Sequence, residues 1–247
     1  MSSEIVTVCL DGVDGRDYAD ALAAALARYD EDSDDPRWEA QWRISGGYDG
    51  GLPLPADDAA DDRVLMVDGE CAGGPRGMLD LDGAWAAAAA AAGRLWDRWQ
   101  EFAAAYPKAR SLEEFYAESA ADPVGYDSER AVADYKAQPV VMAAPFLGDG
   151  RAPNPEPPSL ENDPVGWFGL TRGEYAERRA ARRLPTAGLL TREGEWLDPD
   201  LMGRHGASSG EIMINFFHGR LAYFAQADAY LRGLPPDCFV VRVRVRT

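Results

Sequence analysis

The chain has 247 residues, of which 46% are hydrophobic, and its 42 acidic and 25 basic side chains give a formal net charge of −17. This length can bury a sizeable core, as one large domain or as one domain with an insertion. The charge argues against non-specific binding to nucleic acid or to acidic membranes, because both require exposed Lys and Arg. No apolar run reaches the roughly 18 residues of a membrane span. The N-terminus lacks the basic region of a secretory signal, so we expect a cytoplasmic protein.

Cysteine usage indicates reduced thiols. Cys9, Cys71 and Cys238 are few, odd in number and widely spaced, which is typical of a reducing compartment and not of a disulfide framework. The sequence predicts no metal site and no cofactor. Asp30, Asp32 and Asp34 have the spacing of calcium ligands, but the glycine and the final glutamate of a calcium loop are missing. We interpret that run as a solvated acidic loop.

The first part of the chain predicts a β–α–β unit. Residues 4–10 are apolar and β-branched, as in a buried strand. A helix over 16–29 places Tyr18, Leu22, Leu26 and Tyr29 on one face. Residues 38–45 then alternate between apolar and polar side chains, as in a half-buried strand.

We interpret Trp38–Gly51 as the stretch around which the chain is organised. Its strand runs into paired glycines, which permit a sharply shaped loop where a ligand can approach backbone amides. The ligand-binding candidates of this loop are Gly46, Gly47, Tyr48 and Asp49. The order G-x-G-x-x-G is absent and no helix follows, so dinucleotide binding is not predicted. A tight loop at a domain junction is the alternative interpretation.

The middle of the chain predicts a helical block after an irregular stretch. Residues 52–82 read as irregular, with a short strand at 64–67 and a Gly-rich loop at 69–77. Helices are predicted over residues 84–106, 111–121 and 128–137, and the second begins with the capping box Ser111–Glu114. A Pro-rich linker over 144–164 separates this block from a basic helix that begins at a second capping box, Thr171–Glu174.

The last part predicts a hairpin, a helix and a strand. Residues 187–191 and 195–197 flank a glycine turn. A Gly/Ser-rich loop with His205 precedes a helix over 215–232. In the final strand, 238–246, valines alternate with Arg242, Arg244 and Arg246, which places the arginines on one face.

The order of these elements favours an α+β fold with a ferredoxin-like antiparallel sheet, the split βαβ arrangement. Residues 1–51 and 186–247 would form this domain, and residues 52–185 would be a mostly helical insertion. Two helices would cover one face of the sheet, leaving the arginine face to solvent or to a partner. Two side-by-side domains joined at the Pro-rich stretch are the alternative.

Two segments resemble motifs of a known family. Residues 42–50, Trp-Arg-Ile-Ser-Gly-Gly-Tyr-Asp-Gly, are similar to a W-x-I-G-G-R-W-x-G motif. Residues 188–196, followed by Met202-Gly203, are similar to an A-L-L-T-x-D-G-x-W…M-G motif. Both motifs belong to an uncharacterised family of actinobacterial and actinophage proteins. The resemblance covers about a third of the chain and implies no activity. Some members have CxxC pairs in the middle of the chain, but Cys71 has no such partner here, so a zinc site is not implied.

Two sets of side chains suggest chemistry. Arg242 and Arg244 form a row that can bind an anion or a partner chain, and Arg76 is a further ligand-binding candidate. Cys71 and His205 are the catalytic candidates, because Arg76 near Cys71 would lower the pKa of the thiol and His205 would supply a base. The first hypothesis is a ligand-binding or protein-interaction protein whose partner is a protein or a small anionic ligand. The others are a small hydrolase or transferase, and an acidic phage-type inhibitor or nucleic-acid mimic.

Overall fold

The structure is a computed structural model that describes residues 3–13, 17–37, 39–46, 51–55, 61–144, 159–199 and 208–246. It is an α+β fold, as predicted. The strands are β1 Ser3–Leu10, β2 Glu39–Ile44, β3 Leu65–Val67, β4 Glu70–Pro75, β5 Gly188–Leu190, β6 Trp196–Leu197 and β7 Phe239–Arg246. The α-helices are α1 Tyr18–Leu26, α2 Leu81–Ala103, α3 Leu112–Ala121, α4 Ser128–Lys136, α5 Pro139–Ala143, α6 Pro164–Phe168, α7 Arg172–Ala181 and α8 Ser209–Gly233. Within the described ranges, no helix is long and apolar enough to cross a membrane.

The described residues fold as two compact units. The first comprises Met1–Ala86, Ala181–Asp198 and Tyr223–Thr247, and it contains the sheet. The second comprises Ala87–Ala180 and Pro199–Ala222, and it is helical. The hairpin β3–β4 belongs to the sheet unit, although the sequence analysis placed residues 52–185 in the insertion. The predicted Gly-rich loop at 69–77 is therefore largely the strand β4, because Gly73 lies against the backbone of β7 with no space for a Cβ.

Strand β7 is the centre of the sheet, and not the Trp38–Gly51 stretch. The order is β3-β4-β7-β1-β5-β6, and β2 also pairs with β7. β1 pairs antiparallel along the whole of β7, while β4 and β2 share its other side. The hairpin β5–β6 is antiparallel, as predicted, and Gly194 has the positive φ of its turn. β1 and β5 pair in parallel, so an all-antiparallel, ferredoxin-like order is not confirmed.

Both faces of the sheet are covered. One face packs Val241, Val243 and Val245 of β7 and two valines of β1, Val6 and Val8, against Leu22 and Leu26 of α1. The other packs Cys9, Leu189 and Val240 against Tyr223 and Leu231 of α8. The expectation that the arginine face would be left to solvent or to a partner is therefore wrong at Arg242, which is buried, whereas Arg246 is exposed. Since an arginine has a long apolar stem, it can lie beneath a helix if its guanidinium group finds an acceptor.

The helical unit has two apolar clusters and well-formed helix starts. One cluster joins Leu112, Tyr135 and Leu160, and the other joins Trp167 and Tyr175. The predicted capping box is confirmed at Ser111, whose side chain accepts from the backbone of Glu114 while the Glu114 carboxylate accepts from Ser111 N. In the predicted linker 144–164, residues 145–158 lie outside the described residues, and Leu160–Asn162 forms a short 3₁₀ turn.

Candidate anion-binding site

The arginines of β7 differ sharply in burial. Arg242 is 5% exposed, Arg244 is half-buried and Arg246 is exposed. All three point to one face because side chains alternate along a strand. The row therefore runs from the interior of the sheet unit to its surface.

Strand β2 brings a further guanidinium group to this row. Arg43 is paired directly with Arg244, and Glu39 is in register with Arg246. On the other side of β7, Ile5 and Ser3 of β1 are opposite Arg244 and Arg246. Residues directly opposite in an antiparallel pair have Cβ atoms about 5 Å apart and share a face, and like charges placed in this way repel. The fold thus brings Arg43, Arg244 and Arg246 together at one end of β7, with Glu39 in register with Arg246, in a chain whose net charge is −17.

A surface pocket of about 570 Å³ lies at this end of the strand. Seven of the described residues line it, and we call it the arginine pocket: Ser3, Gln41, Trp42, Arg43, Arg244, Val245 and Arg246. Among the described residues, its lining includes three guanidinium groups, one amide, one hydroxyl and the indole N–H of Trp42, all of which can donate hydrogen bonds. None of the described residues that line it has a carboxylate. This donor set suits an anion with several oxygen acceptors.

Arg242 lies behind the arginine pocket and is not part of its lining. Its Nη2 donates to the carbonyl oxygen of Leu184 at 3.0 Å. Burial and the nearby positive charge of Arg183 lower the pKa of Arg242 to about 10. A guanidinium group with that pKa is still charged at neutral pH, so it adds to the positive potential of this face. Of the two predicted arginines, Arg244 reaches the pocket and Arg242 supports the sheet beneath it.

The predicted glycine loop has a structural role at both of its described ends. Gly46 and Gly51 lie against Glu70 and Cys71 of β4, where an added Cβ would be 2.4 Å from existing atoms. Gly51 N donates to Glu70 Oε2 at 2.6 Å, and Leu52 N donates to the carbonyl oxygen of Cys71 at 2.7 Å. These contacts fit the close-approach interpretation of the glycines. Gly47, Tyr48 and Asp49 lie outside the described residues.

The structure does not present Cys71 as a nucleophile. Cys71 is 4% exposed, and burial raises the pKa of its thiol. Arg76 does not activate it, because its Nη2 donates to Asp82 Oδ2 at 2.8 Å and to the carbonyl oxygen of Arg232 at 3.1 Å. The expected lowering of the thiol pKa by Arg76 is therefore wrong. His205 lies outside the described residues, and the structure does not test whether it approaches Cys71.

Two further polar clusters of the described residues have partners within the cluster. Arg37 donates to Asp35 and to Asp198, and Asp32 N donates to Asp30 Oδ1 within the acidic loop. Among the residues that the structure describes, no group of acidic, histidine or cysteine side chains has the arrangement of a metal site. His218 is paired with Glu113 at 3.0 Å, and both side chains are about half exposed.

The chain matches no protein-family model, no curated protein and no solved structure. Its function is therefore inferred from the geometry of the arginine pocket. The sequence analysis placed Arg244 in an anion-binding row and Arg246 on the same face, but it did not assign Ser3, Gln41 or Arg43 to the site. The alternation of β2 and β7 was visible in the sequence, whereas the register that pairs Arg43 with Arg244 was not.

Proposed function

We propose that this protein binds a small anionic ligand in the arginine pocket. The observation that supports this most directly is the pairing of Arg43 with Arg244 across two strands, with Arg246 lining the same pocket. Like charges on opposite strands destabilise a sheet. An anion held between them would convert that repulsion into attraction.

The expected affinity is modest. A hydrogen bond between charged groups stabilises by about 1.5–3 kcal/mol, and two or three of them must offset the loss of ligand freedom. We therefore expect dissociation constants from about 100 μM to 1 mM, or about −5.5 to −4 kcal/mol. A pocket of about 570 Å³ is within the usual size range of small-molecule sites.

The test is calorimetric titration with sodium sulfate and sodium phosphate at constant ionic strength. The wild-type chain should bind, and a double variant with Arg43→Gln and Arg244→Gln should bind at least tenfold more weakly, since each lost charge-assisted bond costs about 1.5 kcal/mol or more. Arg98→Gln is the matched control, because Arg98 is an exposed arginine of α2 in the other unit. Equal binding by the double variant would refute the proposal.

Two predictions of the sequence analysis, the ferredoxin-like arrangement and the cytoplasmic location, remain proposals. The ferredoxin-like arrangement is supported by the order of elements around the sheet, and it must accommodate the parallel pair β1–β5. A cytoplasmic location is supported by the three cysteines, all of which are free and buried. An enzyme that uses Cys71 receives no support from the burial of that thiol.

A further inference from the structure

Two of the three thiols lie side by side at the start of β7. Cys9 of β1 is opposite Val240 of β7, and Cys238 precedes Val240 by two residues, so the two cysteines occupy diagonal positions across these strands. Both belong to the apolar cluster that includes residues of α8, and their thiols are hydrogen-bonded to one another. Cys71 belongs to the same cluster, but its thiol donates to the carbonyl oxygen of Gly73 at 3.7 Å. The fold therefore pairs two of the thiols and sets the third apart.

The hydrogen bond makes the paired thiols unequal. Cys238 accepts it from Cys9, which lowers the pKa of Cys238, and the positive charge of Arg192 acts in the same direction. Burial, and then the same hydrogen bond, raise the pKa of Cys9. Because the thiolate is the reactive form of cysteine, Cys238 is the more nucleophilic of the two and Cys9 keeps its proton. A thiol of lowered pKa beside a second thiol is typical of redox-sensing cysteines, which must also be reached by an oxidant.

One turn of the sheet unit lies close to the pair and is exposed. Cys9 and Cys238 are buried, but Glu193 and Arg192, in the turn between β5 and β6, are near enough to affect the pKa values of these thiols. Tyr230 of α8 holds the turn, since its hydroxyl accepts from Arg192 N at 2.8 Å and donates to Glu193 Oε2 at 2.9 Å. Exposed turns with few hydrogen bonds open more often than the core. We therefore expect a small oxidant to reach the thiols when this turn opens.

We propose that Cys9 and Cys238 are a redox-sensitive pair that a peroxide converts to a disulfide between β1 and the start of β7. The Cys238 thiolate attacks one oxygen of hydrogen peroxide, so that an S–O bond forms, the O–O bond breaks, and the hydroxide that leaves takes up a proton to become water. The Cys9 sulfur then attacks the sulfur of the sulfenic acid. An S–S bond forms, the S–O bond breaks, and the proton of Cys9 leaves with the hydroxyl as a second water. Each sulfur loses one electron, and a thiol reductant reverses the change.

The position of Cys238 suits this change. A disulfide brings two sulfur atoms to about 2 Å, closer than a hydrogen bond does. Cys238 lies in the turn that leads into β7, where its N donates to the carbonyl oxygen of Pro235, so its backbone is less constrained than that of a residue within the strand. The arginine pocket is at the other end of β7, and this inference does not depend on anion binding.

The test treats the folded chain with hydrogen peroxide over hours. Catalase then removes the peroxide, and urea with iodoacetamide labels every free thiol for mass spectrometry. Untreated protein should gain three labels. Treated protein should gain one, at Cys71, and its digest should contain a cross-linked peptide of Cys9 and Cys238 that dithiothreitol separates.

Two cysteine variants assign the cross-link. Cys71→Ser is the matched control, because Cys71 is a buried thiol of the same cluster outside the pair. This variant should form the cross-link at the wild-type rate, whereas Cys9→Ser should form none. The unfolding temperature of each variant verifies that it is folded before treatment.

A third variant tests access and keeps both thiols. Tyr230→Phe removes the hydroxyl that makes both hydrogen bonds to the turn, so the cross-link should form at least about fivefold faster. Tyr126→Phe is its control, because Tyr126 belongs to the helical unit and its hydroxyl donates to Asp134 at 3.0 Å. The rate of that variant should equal the rate of wild type.

The labels and the rates decide the proposal. Three labels after peroxide treatment of the folded chain would refute the redox-sensitive pair. A cross-link that includes Cys71, or one that forms only after unfolding in urea, would refute it as well. An unchanged rate in Tyr230→Phe would overturn the access route through the turn between β5 and β6.

Discussion

At the scale of single residues, the carboxylate of Asp163 joins three segments of the helical unit. It is 2% exposed, and its oxygens accept from Tyr135 Oη at 2.6 Å, from Leu112 N at 2.8 Å and from Val165 N at 2.9 Å. It thereby caps α6, satisfies the first backbone amide of α3 and holds the hydroxyl of a buried tyrosine on α4. Buried polar groups need such partners, because an unpaired donor costs about 1–3 kcal/mol.

Replacing this carboxylate should be costly. Asp163→Asn keeps one acceptor oxygen but turns an amide toward donors, so the free energy of unfolding should fall by about 2–4 kcal/mol. Asp134→Asn is the matched control, because Asp134 is exposed and also accepts from a tyrosine, Tyr126, at 3.0 Å. Its cost should be below about 0.5 kcal/mol. Urea unfolding of both variants measures the difference, and equal costs would contradict the role given to Asp163.

A second residue-scale prediction concerns the thiols. Cys9, Cys71 and Cys238 are 1%, 4% and 0% exposed. Burial raises the pKa of the Cys71 thiol, so the thiolate that reacts with iodoacetamide is scarce at pH 8 as well as inaccessible. The native protein should therefore remain unlabelled while urea-unfolded protein is labelled at all three positions.

The control for labelling is Val124→Cys, since Val124 is 96% exposed. That variant should gain one label within minutes under native conditions, as mass spectrometry would detect. Rapid labelling of Cys71 in native wild type would contradict the burial argument and support the hypothesis of an enzyme that uses Cys71.

At the scale of elements, the end of β2 meets the start of β4 beside β7. Arg43 and Ile44 of β2 pair with Arg244 and Val243 of β7. Further along β7, Val241, Val240 and Phe239 pair with Gly73, Gly74 and Pro75 of β4. Between the two strands, Gly51 and Leu52 lie close to the β4 backbone at Cys71. Gly51 makes that close approach possible, because an added Cβ would lie 2.4 Å from the backbone N and O of Cys71.

Gly51→Ala should accordingly destabilise the protein by about 2–3 kcal/mol, the usual cost of forcing atoms into a packed site. Gly173→Ala is the contrasting control, because Gly173 is an exposed residue of α7 with no atom within 4 Å of an added Cβ. It should stabilise by about 0.5–1 kcal/mol, since alanine favours helix. Thermal unfolding of the two variants in parallel tests the contrast, which would fail if both changes had the same sign.

At the scale of the whole molecule, the net charge of −17 opposes compaction. Salt screens charges beyond about 8 Å at physiological ionic strength. The described ion pairs are mostly exposed, as at Arg63–Asp61 and Arg172–Asp97, and such pairs contribute little. Repulsion should therefore dominate the response to salt.

Sodium chloride should raise the unfolding temperature by a few degrees between about 0.01 and 0.15 M, because screening relieves more repulsion than attraction. Sulfate at equal ionic strength should add a further stabilisation of about 1.4 kcal/mol when it is tenfold above its dissociation constant. The double variant Arg43→Gln and Arg244→Gln should lose this second increment and keep the first. A fall in unfolding temperature with sodium chloride would contradict the repulsion argument.

Local patterns in the sequence determined much of the secondary structure. The capping box at Ser111, the turn glycine Gly194 and the apolar face of α1 are each set by residues a few positions apart, so hydrogen bonding and periodicity within one segment suffice to predict them. The alternation of valine and arginine in β7 is local in the same way.

Only the tertiary structure decided which arginines of β7 are buried and which are exposed. Arg242 is buried and Arg246 is exposed, although the sequence around them repeats, because α8 and Leu184 cover one end of the face and leave the other open. The pairing of Arg43 with Arg244 joins residues about 200 positions apart. Register between strands so distant depends on how the whole sheet packs. The sequence alone therefore predicted an arginine row, and the fold made one end of it a pocket.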